Sequence, residues 1–95
     1  DYTFEQAEGG TVDSVTGGSF TSGTLQPFNF ASTHASTLVA AAVNGTALTD
    51  DTTPTALADL SSTDMAIGHD FNGTIKLARI WAANITEAGR EEASS

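Results

Sequence analysis

Two loops gather oxygen donors that could hold a cation. Thr49-Asp50-Asp51 and His69-Asp70-Phe71-Asn72 are the places where carboxylates converge, and calcium is bound by oxygen ligands brought together from loops. Asp50, Asp51 and Asp70 are therefore the candidate calcium ligands. The plainer reading is that Asp70 and Asn72 hold a turn through side-chain to backbone bonds. The second loop also sets Phe71 between Asp70 and Asn72. An aromatic ring beside a carboxylate and an amide at a turn tip is common equipment for holding a sugar. Asp70, Phe71 and Asn72 are thus candidate carbohydrate contacts, against a core or turn role for the same residues. Tyr2, Phe20, Phe28 and Phe30 are further rings that could stack on a sugar, whereas Trp81 is expected in the core.

Catalytic constellations are missing. Hydrolysis of a glycosidic bond needs two carboxylates facing each other across it. Glu5 and Glu8 have the wrong spacing for one strand face, and Asp50-Asp51 are adjacent in a loop. No Gly-x-Ser-x-Gly elbow is present, and neither His34 nor His69 has a motif partner. Zinc has no cysteine to bind it and two histidines far apart in sequence. Gly9-Gly10 and Gly17-Gly18 lie between strand-like pieces and read as turns, not as phosphate loops. Asn44-Gly45-Thr46, Asn72-Gly73-Thr74 and Asn84-Ile85-Thr86 match the glycosylation sequon. Two of these are ordinary turn chemistry in a Thr-rich chain. The chain reads as a module that binds or builds, not as an enzyme.

The elements that would position these residues are short strands joined by turns. Residues 2–6 alternate Tyr2, Phe4 and Gln6 with polar neighbours, the pattern of a half-buried strand. Gly9-Gly10 ends it, and 11–16 forms a second short strand carrying Val12 and Val15. Pro27 makes the Leu25, Phe28, Phe30 segment an edge strand or extended connection. Residues 37–43 read as a strand, Asn44-Gly45 as a type I′ turn needing positive φ at both positions, and 46–49 as the returning strand. Met65 to Gly68 is a further short strand, followed by a turn with a second Asn-Gly. Residues 74–82 alternate Ile75, Leu77 and Trp81 with mixed residues and are expected to be the longest strand, facing the core with Ile67 and Val43. Residues 86–94 suit a short acidic helix with Thr86 as N-cap and Glu87 in the first turn.

Composition limits the partners. Ninety-five residues make one domain at most. Hydrophobic residues make up 39% and alanine is abundant, so a self-contained core would be thin. Oligomerisation or membership of a larger domain is the expected remedy. The net charge of −9, from 12 acids against 3 bases, repels phosphate backbones and anionic membranes, so neither nucleic acid nor membrane insertion is expected. No apolar run approaches a membrane span. The opening Asp1-Tyr2-Thr3-Phe4 is neither an initiator Met nor a signal peptide, and the chain reads as beginning inside a longer polypeptide.

An ordered set of motifs runs through 34–93. It begins with Val43-Asn44-Gly45, the Thr49-Asp50-Asp51 loop and Pro54. Met65-Ala66-Ile67-Gly68, Phe71-Asn72-Gly73-Thr74-Ile75, Arg79-Ile80-Trp81 and Ile85-Thr86-Glu87 follow. In this order they resemble the C-terminal half of a laminin-G-like, concanavalin A-like sandwich. The flavour is similar to domains of tail and fibre proteins of bacterial viruses. The resemblance implies an all-β antiparallel sandwich of jelly-roll type, here incomplete, with a short C-terminal helix. It also raises the case for calcium at a sandwich rim. The Glu-x-Asp-x-Glu strand of concanavalin-like glycosidases is absent. The implied function is a virion surface or structural component that assembles with other virion proteins or with itself and contacts host-surface glycans. A secreted cellular adhesion or carbohydrate-binding module is the alternative, and the implied location is the virion surface or the extracellular space.

Overall fold

The computed structural model describes residues 1–21, 23, 27–59, 66–67 and 71–95. Its regular structure is mostly strand, in two small antiparallel sheets, with one short helix. Strands β1 (Tyr2–Glu8) and β2 (Thr11–Gly17) form a hairpin, β3 (Phe30–Ala35), β4 (Leu38–Val43) and β5 (Thr46–Ala47) form a three-stranded sheet, and α1 spans Thr86–Ala93.

Two of the three hairpin turns among the described residues follow from backbone sterics. Glu8 pairs with Thr11 across Gly9-Gly10, whose φ values of 57° and 84° lie where only glycine is at ease. Asn44 and Gly45 have φ values of 50° and 82°, the two positive values that a type I′ turn requires. The Asn44 side chain adds a second role there. Its Oδ1 accepts from the Asn29 amide at 2.9 Å, while its own amide donates to the Asn29 carbonyl at 2.8 Å.

β4 is the centre of the molecule. Side chains alternate across a strand, and both faces of β4 are covered. Val39, Ala41 and Val43 face the hairpin, where they join Phe4 and Val15 in the core, with Tyr2 and Leu48 packed against them. Ala40 and Ala42 turn the other way, towards α1, which packs on β3, β4 and β5. The result is three layers: hairpin, three-stranded sheet, helix. The alanines are the reason the layers approach closely, since nothing projects far from β4. Gly17 serves the same end on β2: a Cβ there would stand 2.8 Å from Leu48 Cδ2.

The helix is held by two buried polar side chains on its sheet-facing side. Arg90, 2% exposed, donates through one guanidinium nitrogen to Thr33 Oγ1 at 3.0 Å and to Asn84 Oδ1 at 2.9 Å. Ser94 Oγ accepts from the Gly45 amide at 3.1 Å and donates to the Glu91 carbonyl at 3.3 Å. Residues four apart stand one above the other on a helix, so Arg90 and Ser94 pin it at both ends of the turn. At the other end Ile85 occupies the cap position and its side chain makes no capping bond. Thr86, whose φ of 70° is not helical, supplies the hydroxyl that accepts from the Gly89 amide at 3.4 Å. The expected cap thus makes the expected bond one position inside the assigned helix.

Several expectations are corrected. Residues 74–82 form no strand, and Ile75, Leu77 and Trp81 are 48%, 70% and 49% exposed instead of buried, as is Ile67 at 56%. Of the predicted core face only Val43 lies in the core. Alternation gives a strand two faces, but a strand also needs a partner for its amides, and no described element lies in register beside this segment. Asn72-Gly73 makes no hairpin: neither residue has positive φ. β5 stops at Ala47 instead of running to 49. β3, in turn, goes unpredicted beyond Phe30, because Ala31-Ser32-Thr33-His34-Ala35 has little hydrophobic contrast. Half of the predicted strand at 65–68 lies outside the described residues, and Ala66 and Ile67 are not in a strand.

Candidate functional site

The loop expected to bind a sugar is only partly visible. Asp70 lies outside the described residues. Phe71 and Asn72 are both exposed, but the Phe71 ring folds back over the chain. A Cβ on Gly73 would meet its edge at 3.0 Å, so the ring is braced by Gly73 and does not stand free. The calcium expectation fares similarly. Asp51 Oδ1 accepts from the Thr53 amide at 3.0 Å, and the Asp51 backbone bridges to Val39, amide to carbonyl in both directions at 2.9 Å. Asp51 thus holds its own turn, by the kind of side-chain to backbone bond that the sequence suggests for Asp70 and Asn72. Among the described residues no cluster of three or more His, Asp or Glu is spaced to hold a metal ion.

Other carboxylates also hold backbone. Asp13 Oδ2 accepts from the Thr55 amide at 2.8 Å and Glu8 Oε2 from the Ala58 amide at 3.1 Å. Ser36 Oγ accepts from Leu57 at 3.0 Å. Together they strap residues 54–58 across the end of the hairpin.

His34 is positioned by β3 and faces β1. The Gln6 amide nitrogen donates to the Ala35 carbonyl at 2.8 Å, which leaves Gln6 Oε1 to accept from His34 Nδ1 at 3.3 Å. That fixes the proton on Nδ1 and makes Nε2 the acceptor for the Ser32 hydroxyl at 3.2 Å. Loss of water around the ring pushes the His34 pKa below its usual value, so the fold favours the neutral imidazole. With both nitrogens engaged and no carboxylate bonded to it, His34 is a structural link between the sheets.

The feature with the most binding character is a row of aromatic rings along the rim between the sheets. Phe20 lies 5.1 Å from Tyr2, Tyr2 4.5 Å from Phe28, Phe28 5.8 Å from Phe30, and Phe30 5.2 Å from Phe4. Phe4 roots the row in the core, while Phe20, Phe28 and Phe30 are exposed. Local structure explains the alignment. Tyr2 and Phe4 share the inner face of β1 by alternation. Phe28 and Phe30 share a face of the extended chain that enters β3, and Pro27, lacking an amide proton, stays out of the ladder. The peptide between them is fixed, since Asn29 bonds to Asn44 and donates to the Ser95 carbonyl at 3.3 Å. Tyr2, Phe20, Phe28 and Phe30 are each candidates on sequence grounds, whereas Phe4 is expected only as part of a half-buried strand. The convergence of the rings has no such grounds, because it depends on how the two sheets pack.

A second apolar surface is the segment 74–82. Together with α1 it forms an open cleft lined by Leu77, Arg79, Trp81, Ile85, Gly89 and Glu92, and Ile80 stands exposed beside it.

Comparison of the chain with family models, with curated proteins and with solved structures gave no match. The fold and its surfaces therefore stand on their own geometry: two small antiparallel sheets and a helix, with an aromatic row at one rim and an unpaired apolar segment beside the helix.

Proposed function

We propose that this chain is a non-catalytic binding and assembly module of a virion surface protein, a tail, fibre or capsid-decorating component, that contacts host-surface glycans. The finer architecture implied by the resemblance, a laminin-G-like sandwich, belongs to the same proposal. The observation that supports it best is the aromatic row. Three exposed rings in a line, rooted in the core and flanked by the amide side chain of Asn29, offer an apolar platform to the C–H faces of a sugar with a polar group at its edge. Single exposed hydrophobic residues need no explanation, whereas a contiguous patch marks an interaction surface.

The test is binding of the multimerised chain to a glycan array with and without calcium. Specific, saturable binding is expected, and it should be lost on Phe28→Ala and on Phe30→Ala. A calcium requirement would restore the case for Asp50, Asp51 and Asp70. A folded chain that binds no glycan would remove the host-contact role and leave assembly alone.

A further inference from the structure

The segment 74–82 is more than exposed; its charge is opposite to that of the rest of the molecule. The chain has 3 basic residues against 12 acidic ones. One of the three, Arg90, is buried. The other two, Lys76 and Arg79, are exposed and alternate with exposed Ile75, Leu77 and Ile80 within this one stretch. A basic, apolar, strand-patterned segment without a ladder calls for an acidic strand with an open edge.

The chain itself has such a strand. β1 pairs with β2 on one side, and no described strand covers its other side. It carries Glu5 and Glu8, three residues apart as Lys76 and Arg79 are. Laid antiparallel with Glu5 opposite Arg79, the two segments also bring Glu8 opposite Lys76. In that register Leu77 falls beside Ala7, whose partner in β2 is the exposed Val12. Trp81 falls beside Thr3, on the same outer face, and Ile80 falls beside Phe4 on the inner one. One register thus brings both charge pairs together and covers Leu77, Trp81 and Ile80, with Ile75 falling beside Gly9 past the end of β1.

We infer that the segment 74–82 of one copy adds as a strand to the β1 edge of a second copy. Main-chain hydrogen bonds of the added strand supply affinity, and the alternating side chains set the register. The second copy is the occupant because both halves of the charge match belong to this chain. The β1 edge adjoins the aromatic row, which includes Tyr2 and Phe4, but self-association is read without glycan and through charges outside the row, so the two can fail separately.

Sedimentation velocity over a range of concentrations tests it with two surface substitutions, Arg79→Glu and Glu5→Lys. Among the described residues neither side chain has a bond to lose, and unchanged thermal unfolding of each variant at a concentration where it is monomeric would verify that. The wild type is expected to self-associate, more weakly at high salt. Opposed charges across a strand pair stabilise it and like charges destabilise it by similar amounts, so each variant alone should associate about tenfold more weakly or worse, roughly 1.4 kcal/mol. An equimolar mixture of the two should recover association, because the acidic segment of one meets the basic β1 of the other. A wild type that stays monomeric throughout, variants that associate like the wild type, or a mixture that fails to recover would each overturn the inference.

Discussion

Replacing Phe4 by alanine is expected to lower the folding stability by about 3 kcal/mol, at the low end for a buried aromatic ring. Phe4 is the largest side chain of a core otherwise made of Val15, Val39, Ala41 and Val43. Removing its ring leaves a void bounded by three valines and one alanine on paired strands, whose short side chains cannot reach in to fill it. The substitution also unroots the aromatic row, since Phe30 packs on Phe4 at 5.2 Å. A domain of this size has a total stability on the order of 5–14 kcal/mol, so the loss is a large share of the whole. The urea midpoint should fall by roughly 1–3 M at an ordinary slope. Phe4→Leu, which keeps most of the volume, should cost less than half as much. An unchanged midpoint for Phe4→Ala would show that the hairpin does not share a core with β4.

Arg90 is the second sensitive position, and two substitutions separate its roles. Its guanidinium is buried, bonded to the neutral oxygens of Thr33 and Asn84, and its Nε has no hydrogen-bond partner among the described residues. A buried charge satisfied only in part carries a desolvation cost that offsets much of what its bonds contribute. The long stem, in contrast, fills the space between α1 and the alanine-rich sheet. Arg90→Ala is therefore expected to cost about 3 kcal/mol, chiefly through the cavity, with α1 undocking first. Arg90→Met refills the stem volume and relieves the desolvated charge, so it should cost no more than about 1 kcal/mol. Denaturation followed by far-ultraviolet circular dichroism measures both. Equal losses for the two variants would mean that the hydrogen bonds, and not the packing, hold the helix.

The parts of the fold written in local chemistry are legible in the sequence. The Tyr2, Phe4, Gln6 alternation fixes the inner face of β1, and all three are at least partly buried. The Gly9-Gly10 and Asn44-Gly45 turns follow from the φ values they permit, and Pro27 itself stays out of the ladder. The helix lies within a residue of where its polar start and acidic first turn place it. What needs a partner is not legible. Residues 74–82 have a strand's alternation, yet alternation cannot say which edge receives them. Asn72-Gly73 has hairpin chemistry without two strands to join. β3 is built from small and polar residues and takes its place from β4, to which it pairs throughout. The candidate site divides along the same line. Phe20, Phe28 and Phe30 are recognisable as rings that could bind, but only packing lines them up with Tyr2. A charged residue at position 90 gives no local sign of burial. The signal that could have found it is the pair Ala40 and Ala42 on the helix-facing side of β4, which leaves room for a long side chain above the sheet.

The central claim is that the fold is built around β4, and that 74–82 stands outside it as a surface for partners. Hydrogen–deuterium exchange of the chain at a concentration where it is monomeric tests this most directly. Amides of β4, paired on both sides by β3 and β5 and covered by the hairpin and the helix, should exchange slowest, through global unfolding. Amides of 74–82 should exchange within seconds, as in an unpaired chain. Protection of 74–82 equal to that of β4 in the monomer would contradict the account, because it would make the segment a strand of the chain's own core.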